Sequence, residues 1–210
     1  LNIPIVYEDQ WLLVADKPSG LLVIPAPKKG NRTLTSILNE DLLKQGKLYR
    51  LHPCHRLDRQ TSGLIIYAKG KSVQKKMMEE FKARGVKKTY VVFTRGRLER
   101  MSGEIDCPIE GKAAQTAYKV IERRKDFDIV EAYPVSGRTN QIRLHFQGLG
   151  HPVLGEDKYA FRRDFPLKAK RLCLHAQTLE FRHPVTGGKI SLRCELPPEL
   201  KKFLEVNRDV

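Results

Sequence analysis

The sequence predicts an α+β fold, a single domain with a mixed, largely antiparallel β-sheet flanked by helices. Three observations predict it. Strand-like runs outnumber helical ones, many neighbouring strands are joined by hairpin-length turns, and no repeat, low-complexity tract or Pro/Gly/Ser linker divides the 210 residues. With 40% hydrophobic residues the chain can cover a real core, so residues 1–210 are expected to fold as one domain.

From Ile3 to Ile24 the chain reads as short β segments, broken at Glu8-Asp9 and again at Pro18-Ser19-Gly20, where turn formers cluster. Between Thr33 and Gly46, Leu34, Ile37, Leu38 and Leu42 recur at helical spacing and a glycine follows as a stop. "GLIIYAK" (63–69) is strand-like. A helix then runs from an N-cap at Ser72 to Gly85, with Val73, Met77, Met78 and Phe81 as its buried stripe. "KKTYVVFTRGRL" (87–98) is β-branched and aromatic, and the segment from Thr116 to Val135 is a hairpin turning near Lys125-Asp126. Thr139 is placed to cap a short helix ending around Gly148. "RLCLHAQTLEF" and "GKISLRCEL" form a second hairpin across "RHPVTGG", and a closing helix starts at Pro197 or Pro198.

Charge narrows the function. Lys and Arg number 39 against 24 Asp and Glu, a net charge of +15, which is the footprint of a nucleic-acid binder. The cations recur in clusters: Lys69, Lys71, Lys75, Lys76; Arg95, Arg97, Arg100; Arg123, Arg124, Lys125; and Lys168, Lys170, Arg171. A single such cluster is ordinarily a solvated face, and only the sum points to a polyanion. The four cysteines lack any CxxC pair and read as reduced thiols of a cytoplasmic protein. "HPCH" (52–55) is followed by no second ligand pair, so no metal is expected. No apolar run approaches the ~18 residues needed to span a bilayer, and the N-terminal residues resemble no signal peptide.

Several catalytic signatures fail. "HRLD" inverts the Leu and Asp of the kinase catalytic loop and has Gly63 where that loop needs Asn. "HPVTGGKI" has His183 in place of the first P-loop glycine and Ile190 in place of Ser or Thr. There is no G-x-S-x-G, and no carboxylate cluster for a metal-dependent nuclease. What stands out is "HRLDRQTSGL" (55–64), where one acid, Asp58, is set among His55, Arg56 and Arg59 ahead of Thr61-Ser62-Gly63. It is either a charge-paired turn or an acid held ionised to do chemistry on an anionic substrate.

Taken together, "KPSG" (17–20), "HRLDRQTSGL", "KKTY" (87–90), "SGRTNQIRLHF" (136–146), "GHPVLGEDKY" (150–159) and "LHAQTLEFRHPVTG" (174–187) resemble the RluA-type RNA pseudouridine synthases, in that family's order and over nearly the whole chain. Asn140 departs from the His usual in GRTHQIR, Ala160 from the usual Gly, and no S4 module is expected within residues 1–210. The resemblance implies the pseudouridine synthase catalytic fold and isomerisation of a uridine in ribosomal or transfer RNA, with no cofactor and no metal. It further implies that Asp58 is the catalytic carboxylate, Tyr90 the tyrosine near the base and Arg143 the cation paired with the aspartate. His55, Arg56, Arg59, Thr61, Arg138, Lys87 and Lys88 are expected to face the RNA, although the three charged neighbours of Asp58 read equally as solvated loop charges and Tyr90 as a strand-end core residue. The protein is expected to act as a cytoplasmic monomer with RNA as partner and no membrane contact. The competing reading is a non-catalytic RNA-binding or assembly factor that retains the fold.

Overall fold

The most apolar strands of the sequence become the inner strands of the protein. The computed structural model describes residues 2–26, 32–160 and 167–208. In chain order its elements are β1 (Ile5–Glu8), β2 (Leu12–Lys17), α1 (Leu34–Lys44), β3 (Leu51–Pro53), β4 (Ser62–Lys69), α2 (Lys71–Lys82) and β5 (Lys87–Arg95). They continue with β6 (Ser102–Asp106), β7 (Gln115–Arg123), β8 (Phe127–Pro134), α3 (Gln141–Gly148), β9 (Leu174–Arg182), β10 (Lys189–Arg193) and α4 (Pro198–Val206). The class is the expected α+β, with a mixed, largely antiparallel sheet and helices on it.

The chain packs as two compact units, residues 1–87 with 178–194 and residues 88–177 with 195–210. β9 contributes to both. In the first unit the strand order is β1-β2-β4-β9, with β3 on β4 and β10 on β9. β2 and β4 are buried along almost their full length, as strands covered on both faces must be. Leu12, Val14, Leu64 and Ile66 pack with Val73 and Met77 of α2 and with Leu179 and Phe181 of β9. α1 buries Leu34, Ile37, Leu38 and Leu42, the stripe that periodicity predicts, and starts in a capping box between Thr33 and Ser36. A clasp holds the far hairpin of this unit. His183 Nδ1 accepts the amides of Val185 and Thr186, so Nε2 carries the proton and lies 3.0 Å from Asp9 Oδ2.

The second unit has the order β9-β5-β8-β7-β6. β7 alternates buried and exposed positions and leaves one face to solvent, whereas β8 is mostly buried. Val92, Phe93, Phe127, Val130, Phe146 and Leu200 centre its core, and Phe203 of α4 stacks on Phe93 at 5.9 Å between ring centroids.

Four local expectations fail for identifiable reasons. Residues 21–24 form no strand, because the carbonyls of Leu22 and Val23 instead accept the first amides of α1 from Leu34 and Thr35. The cap of α2 is Gly70, not Ser72, and Met78 is 42% exposed rather than part of the stripe. The cap of α3 is Asn140, not Thr139. Asn140 takes the left-handed conformation (φ 56°, ψ 23°) that asparagine tolerates better than threonine, and its side chain makes no cap bond. The short strands β3 and β6 carry too little periodicity to be read from sequence.

Candidate active site

Register determines what meets in the first unit. In the β2–β4 pair Lys17 lies opposite Gly63, so the loop leaving β2 and the loop entering β4 emerge at the same end. These loops are "KPSG" and the segment holding Asp58. They are joined through main-chain carbonyls: Gly20 N–H and Lys17 Nζ donate to Arg59 O (2.8 and 3.1 Å), Ser19 Oγ donates to Gln60 O (2.7 Å), and Arg59 Nε donates to Gly20 O (3.0 Å). Gly20 adopts φ +86°, a left-handed turn that glycine makes without strain. Lys17 is fully buried, and its ammonium also donates to Pro18 O (2.9 Å) and Leu21 O (2.8 Å), so three carbonyls satisfy its three hydrogens.

On this frame Asp58 is half-buried, and its carbonyl closes a turn by accepting Thr61 N–H at 3.1 Å. Arg56 and Arg59 are exposed. His55 is turned inward: Nε2 accepts the Ile66 amide of β4 at 3.0 Å and the ring lies against Phe81 at 4.8 Å. An accepting Nε2 places the neutral-ring proton on Nδ1. Thr61 is buried, and its hydroxyl meets no hydrogen-bond partner among the described residues. Lys87 is exposed at the start of β5.

In the second unit, β5 and β8 run antiparallel with Tyr90 opposite Ala132, which sets Tyr90 at the end where β8 hands over to the segment 135–140. Tyr90 is half-buried and packs against the core of that unit. Lys88 is partly covered, burial pushes its ammonium pKa down, and Nζ lies 3.3 Å from Ser136 O. Arg138 is exposed, with Nε donating to Ala113 O at 3.1 Å.

Gln141 explains much of "SGRTNQIR". Its Oε1 accepts from Ser136 Oγ (2.7 Å) and Arg138 N–H (3.0 Å), while Nε2 donates to Gln115 O (2.9 Å) and Thr116 Oγ1 (3.0 Å). All four hydrogen-bonding positions of a buried amide are thereby used. One turn on, His145 Nε2 lies 3.0 Å from Cys107 O and so carries the proton, leaving Nδ1 to accept from the Thr116 hydroxyl at 2.9 Å. This network fixes the first turn of α3, from which Arg143 projects.

Arg143 is 6% exposed and held from several directions. Glu156 binds it through two parallel bonds, Nε to Oε2 at 2.7 Å and Nη2 to Oε1 at 2.6 Å. Nη1 donates to Asn140 Oδ1 at 2.8 Å, and the guanidinium lies over the Tyr159 ring at 5.1 Å. Asn140 Nδ2 in turn donates to Tyr159 Oη at 2.7 Å, so the residue that departs from the usual His links both partners. Glu156 is 1% exposed and also accepts the amides of Asp157, Lys158 and Tyr159. Burial alone would push its carboxyl up, but the Arg143 bonds and these amides outweigh it and hold the group below the usual carboxylate range. Gly155 (φ +77°) makes the preceding turn possible, since a Cβ there would fall 2.0 Å from Arg171 O.

Sequence reasoning did not single out Glu156, Gln141 or Tyr159. Glu156 stands thirteen residues after Arg143 in "GHPVLGEDKY", and no spacing rule connects the two. Among the described residues no group of His, Cys, Asp and Glu is placed to hold a metal ion, and no helix is long and apolar enough to cross a membrane.

Comparison with known proteins decides the family. The family profile described as RNA pseudouridylate synthase matches residues 11–148. The chain belongs to that family. It is therefore an isomerase of the kind that forms pseudouridine in RNA. The synthase is 35% identical over 209 residues to the dual-specificity RNA pseudouridine synthase RluA of Yersinia pestis, covering 91% of this chain and 98% of that protein. It is 34% identical to the ribosomal large subunit pseudouridine synthase C of Salmonella typhi, covering 97% and 70% respectively. Among solved structures it resembles human RNA Pseudouridylate Synthase Domain Containing 4 with a TM-score of 0.80 and 27% identity, over 96% of this chain and 91% of that one.

Proposed function

We propose that this synthase converts particular uridines of ribosomal or transfer RNA to pseudouridine, with Asp58 as the catalytic carboxylate, and that residues 1–210 serve as its catalytic domain. The observation that carries the reading is the loop around Asp58, a half-buried acid whose own main chain is bonded through the carbonyls of Asp58, Arg59 and Gln60. A carboxylate that acts on a fixed nucleotide needs such a frame. The relatives named as dual-specificity and as large-subunit synthases supply the two RNA classes.

The chemistry is consistent with one acid. Hydrolysis of a glycosidic bond usually employs two carboxylates, one acting as acid and the other on the sugar or on water. Here the base must be retained and rejoined through C5, so water is unwanted and a single carboxylate suffices. Uridine and pseudouridine are isomers at one oxidation level, the proton lost from C5 being matched by one gained at N1, so the reaction needs no redox cofactor. Arg143, held by Glu156 through two bonds, is assigned the cationic role that the family resemblance gives it. The enzyme works as a monomer in the cytoplasm. Mapping pseudouridines in total RNA from cells with and without the protein tests the reading: loss of at least one site on deletion supports it, and identical maps overturn it.

Tyr90 is assigned to the flipped-out base, with separable roles for ring and hydroxyl. Because stacking a base on an aromatic is worth roughly 1–3 kcal/mol, Tyr90→Phe is expected to bind RNA like the parent and Tyr90→Ala to bind more weakly. If the hydroxyl takes the C5 proton, Tyr90→Phe stalls in single-turnover release of tritium from C5-labelled uridine. Release at the parent rate leaves Tyr90 as a stacking platform only.

The basic surface sets a salt dependence. Log affinity for single-stranded RNA should fall by roughly 0.7 per neutralised phosphate for each unit of log salt. Replacing Lys87 and Lys88 by Ala should make that slope shallower without changing which uridine is modified, with exposed Lys87 contributing more than the partly covered Lys88. A titration from low to physiological salt measures it, and a flat parent curve contradicts an electrostatic role.

A further inference from the structure

Two cationic clusters lie far apart in the chain, Arg95 to Arg100 and Arg123 to Lys125, and the candidate active site uses neither. The fold of the second unit joins them. Gly96 N–H donates to Asp126 O (2.8 Å), Arg97 Nε to Arg124 O (3.2 Å) and Arg123 Nη2 to Leu98 O (2.8 Å), which ties the β7–β8 turn to the end of β5. Beside this junction lies a cleft of about 620 Å³. Among the described residues that line it, Arg97, Lys125 and Arg208 bring three positive charges against the one carboxylate of Asp126, while Leu167 and Val206 give it apolar walls.

Two features oppose a cationic ligand there. The positive charges outnumber Asp126, and the C-terminus of α4, whose partial negative charge would otherwise attract a cation, has its Phe203 carbonyl taken by both the N–H (3.1 Å) and the side-chain amide (2.8 Å) of Asn207. Cations around an apolar-walled cleft suit a nucleotide chain, with phosphates on the charges and a ribose or base against Leu167 and Val206. Position says which part of the RNA. Tyr90 and Arg95 are five residues apart on β5, so the cleft lies about 17 Å or more along the strand from Tyr90, at 3.3 Å per residue.

We propose that this cleft is a second RNA-binding site, which takes backbone phosphates flanking the uridine to be modified and contributes affinity without touching the reacting base. The proposal rests on the reading of the chain as an RNA-acting synthase with Tyr90 at the base. It predicts that RNA long enough to reach the cleft binds more tightly than the target stem-loop alone.

The test uses a ribosomal or transfer RNA fragment containing the uridine found by mapping, and a stem-loop cut from it that keeps that uridine in its loop. The double variant Arg97→Ala/Lys125→Glu should raise Kd for the fragment roughly tenfold and flatten its salt slope by roughly 1.4, two contacts at 0.7 each. Its Kd for the stem-loop and its single-turnover rate at saturating enzyme should equal those of the parent. Lys125→Gln alone, at an exposed turn position, should give the same pattern at half the slope change, and it decides the matter if the Arg97 change disturbs folding. Unchanged fragment affinity and slope overturn the second site, and so does an equal loss on both RNAs. A parent enzyme that leaves the fragment unmodified counts instead against the synthase reading, so the two failures are told apart.

Discussion

Asp58→Asn is expected to abolish pseudouridine formation, lowering single-turnover product by at least roughly 10³-fold, a loss in the range that removing a positioned acid–base group costs. RNA affinity should stay nearly unchanged. The swap keeps the shape of the side chain and deletes one negative charge. The bonds that join this loop to "KPSG" run to the main-chain carbonyls of Arg59 and Gln60, and the turn closes on the carbonyl of Asp58, so none of them depends on the carboxylate. The variant should therefore keep this loop joined to "KPSG". Pseudouridine in the target RNA after incubation with each enzyme is the measurement, and near-parent turnover by the variant would remove Asp58 from the chemistry. The same experiment separates the enzyme from a binding factor that merely retains the fold, because a binding factor yields no product even with Asp58 in place.

How far the sequence reaches can be judged residue by residue. Leu34, Ile37, Leu38 and Leu42 identify α1 correctly because one face of an isolated helix must cover a core, and that demand is written at a fixed spacing. The hairpins β7–β8 and β9–β10 are legible for the related reason that turn residues interrupt β-branched runs. Helix starts are less so. Gly70 and Asn140 cap by backbone conformation and not by a side-chain bond, so the nearby Ser72 and Thr139, which carry the usual chemistry, draw the prediction away.

The candidate site divides the same way. Asp58 and Arg143 are proposed from long motif strings, and Tyr90 from the short "KKTY" that accompanies them. The partners that hold them are not visible there, since Lys17 reaches Arg59 across 42 residues and Gln141 reaches Thr116 across 25, distances that only folding closes. His55 shows the converse limit. Its neighbours in the chain suggest an RNA-facing cation, whereas its ring is engaged by an amide of β4 eleven residues away.

Glu156 is the residue that the structure adds, and its removal should be felt most strongly after that of Asp58. Glu156→Gln keeps the size of the side chain but takes from the buried Arg143 guanidinium the carboxylate that binds it through two bonds, while Asp157 Oδ1 stays 4.0 Å away. Breaking a buried ion pair from one side costs about 3–5 kcal/mol, so a large drop in the melting temperature is expected, together with a loss of turnover at temperatures where the variant is still folded. The pH dependence supplies an independent sign. The folded-state pKa of Glu156 lies below the usual carboxylate value, so its contribution to stability is fully present above the unfolded pKa of about 4.3 and is lost as pH falls through the folded value. The parent should therefore lose stability on acidification below about pH 4, and Glu156→Gln, which has no proton to take up at this position, should lose less over the same interval. Chemical denaturation at a series of pH values measures both curves. If the two run parallel down to the acid limit, the Glu156 carboxylate is not what anchors Arg143, and the orientation of the guanidinium must be attributed to its other partners, among them Asn140, Tyr159 and Asp157.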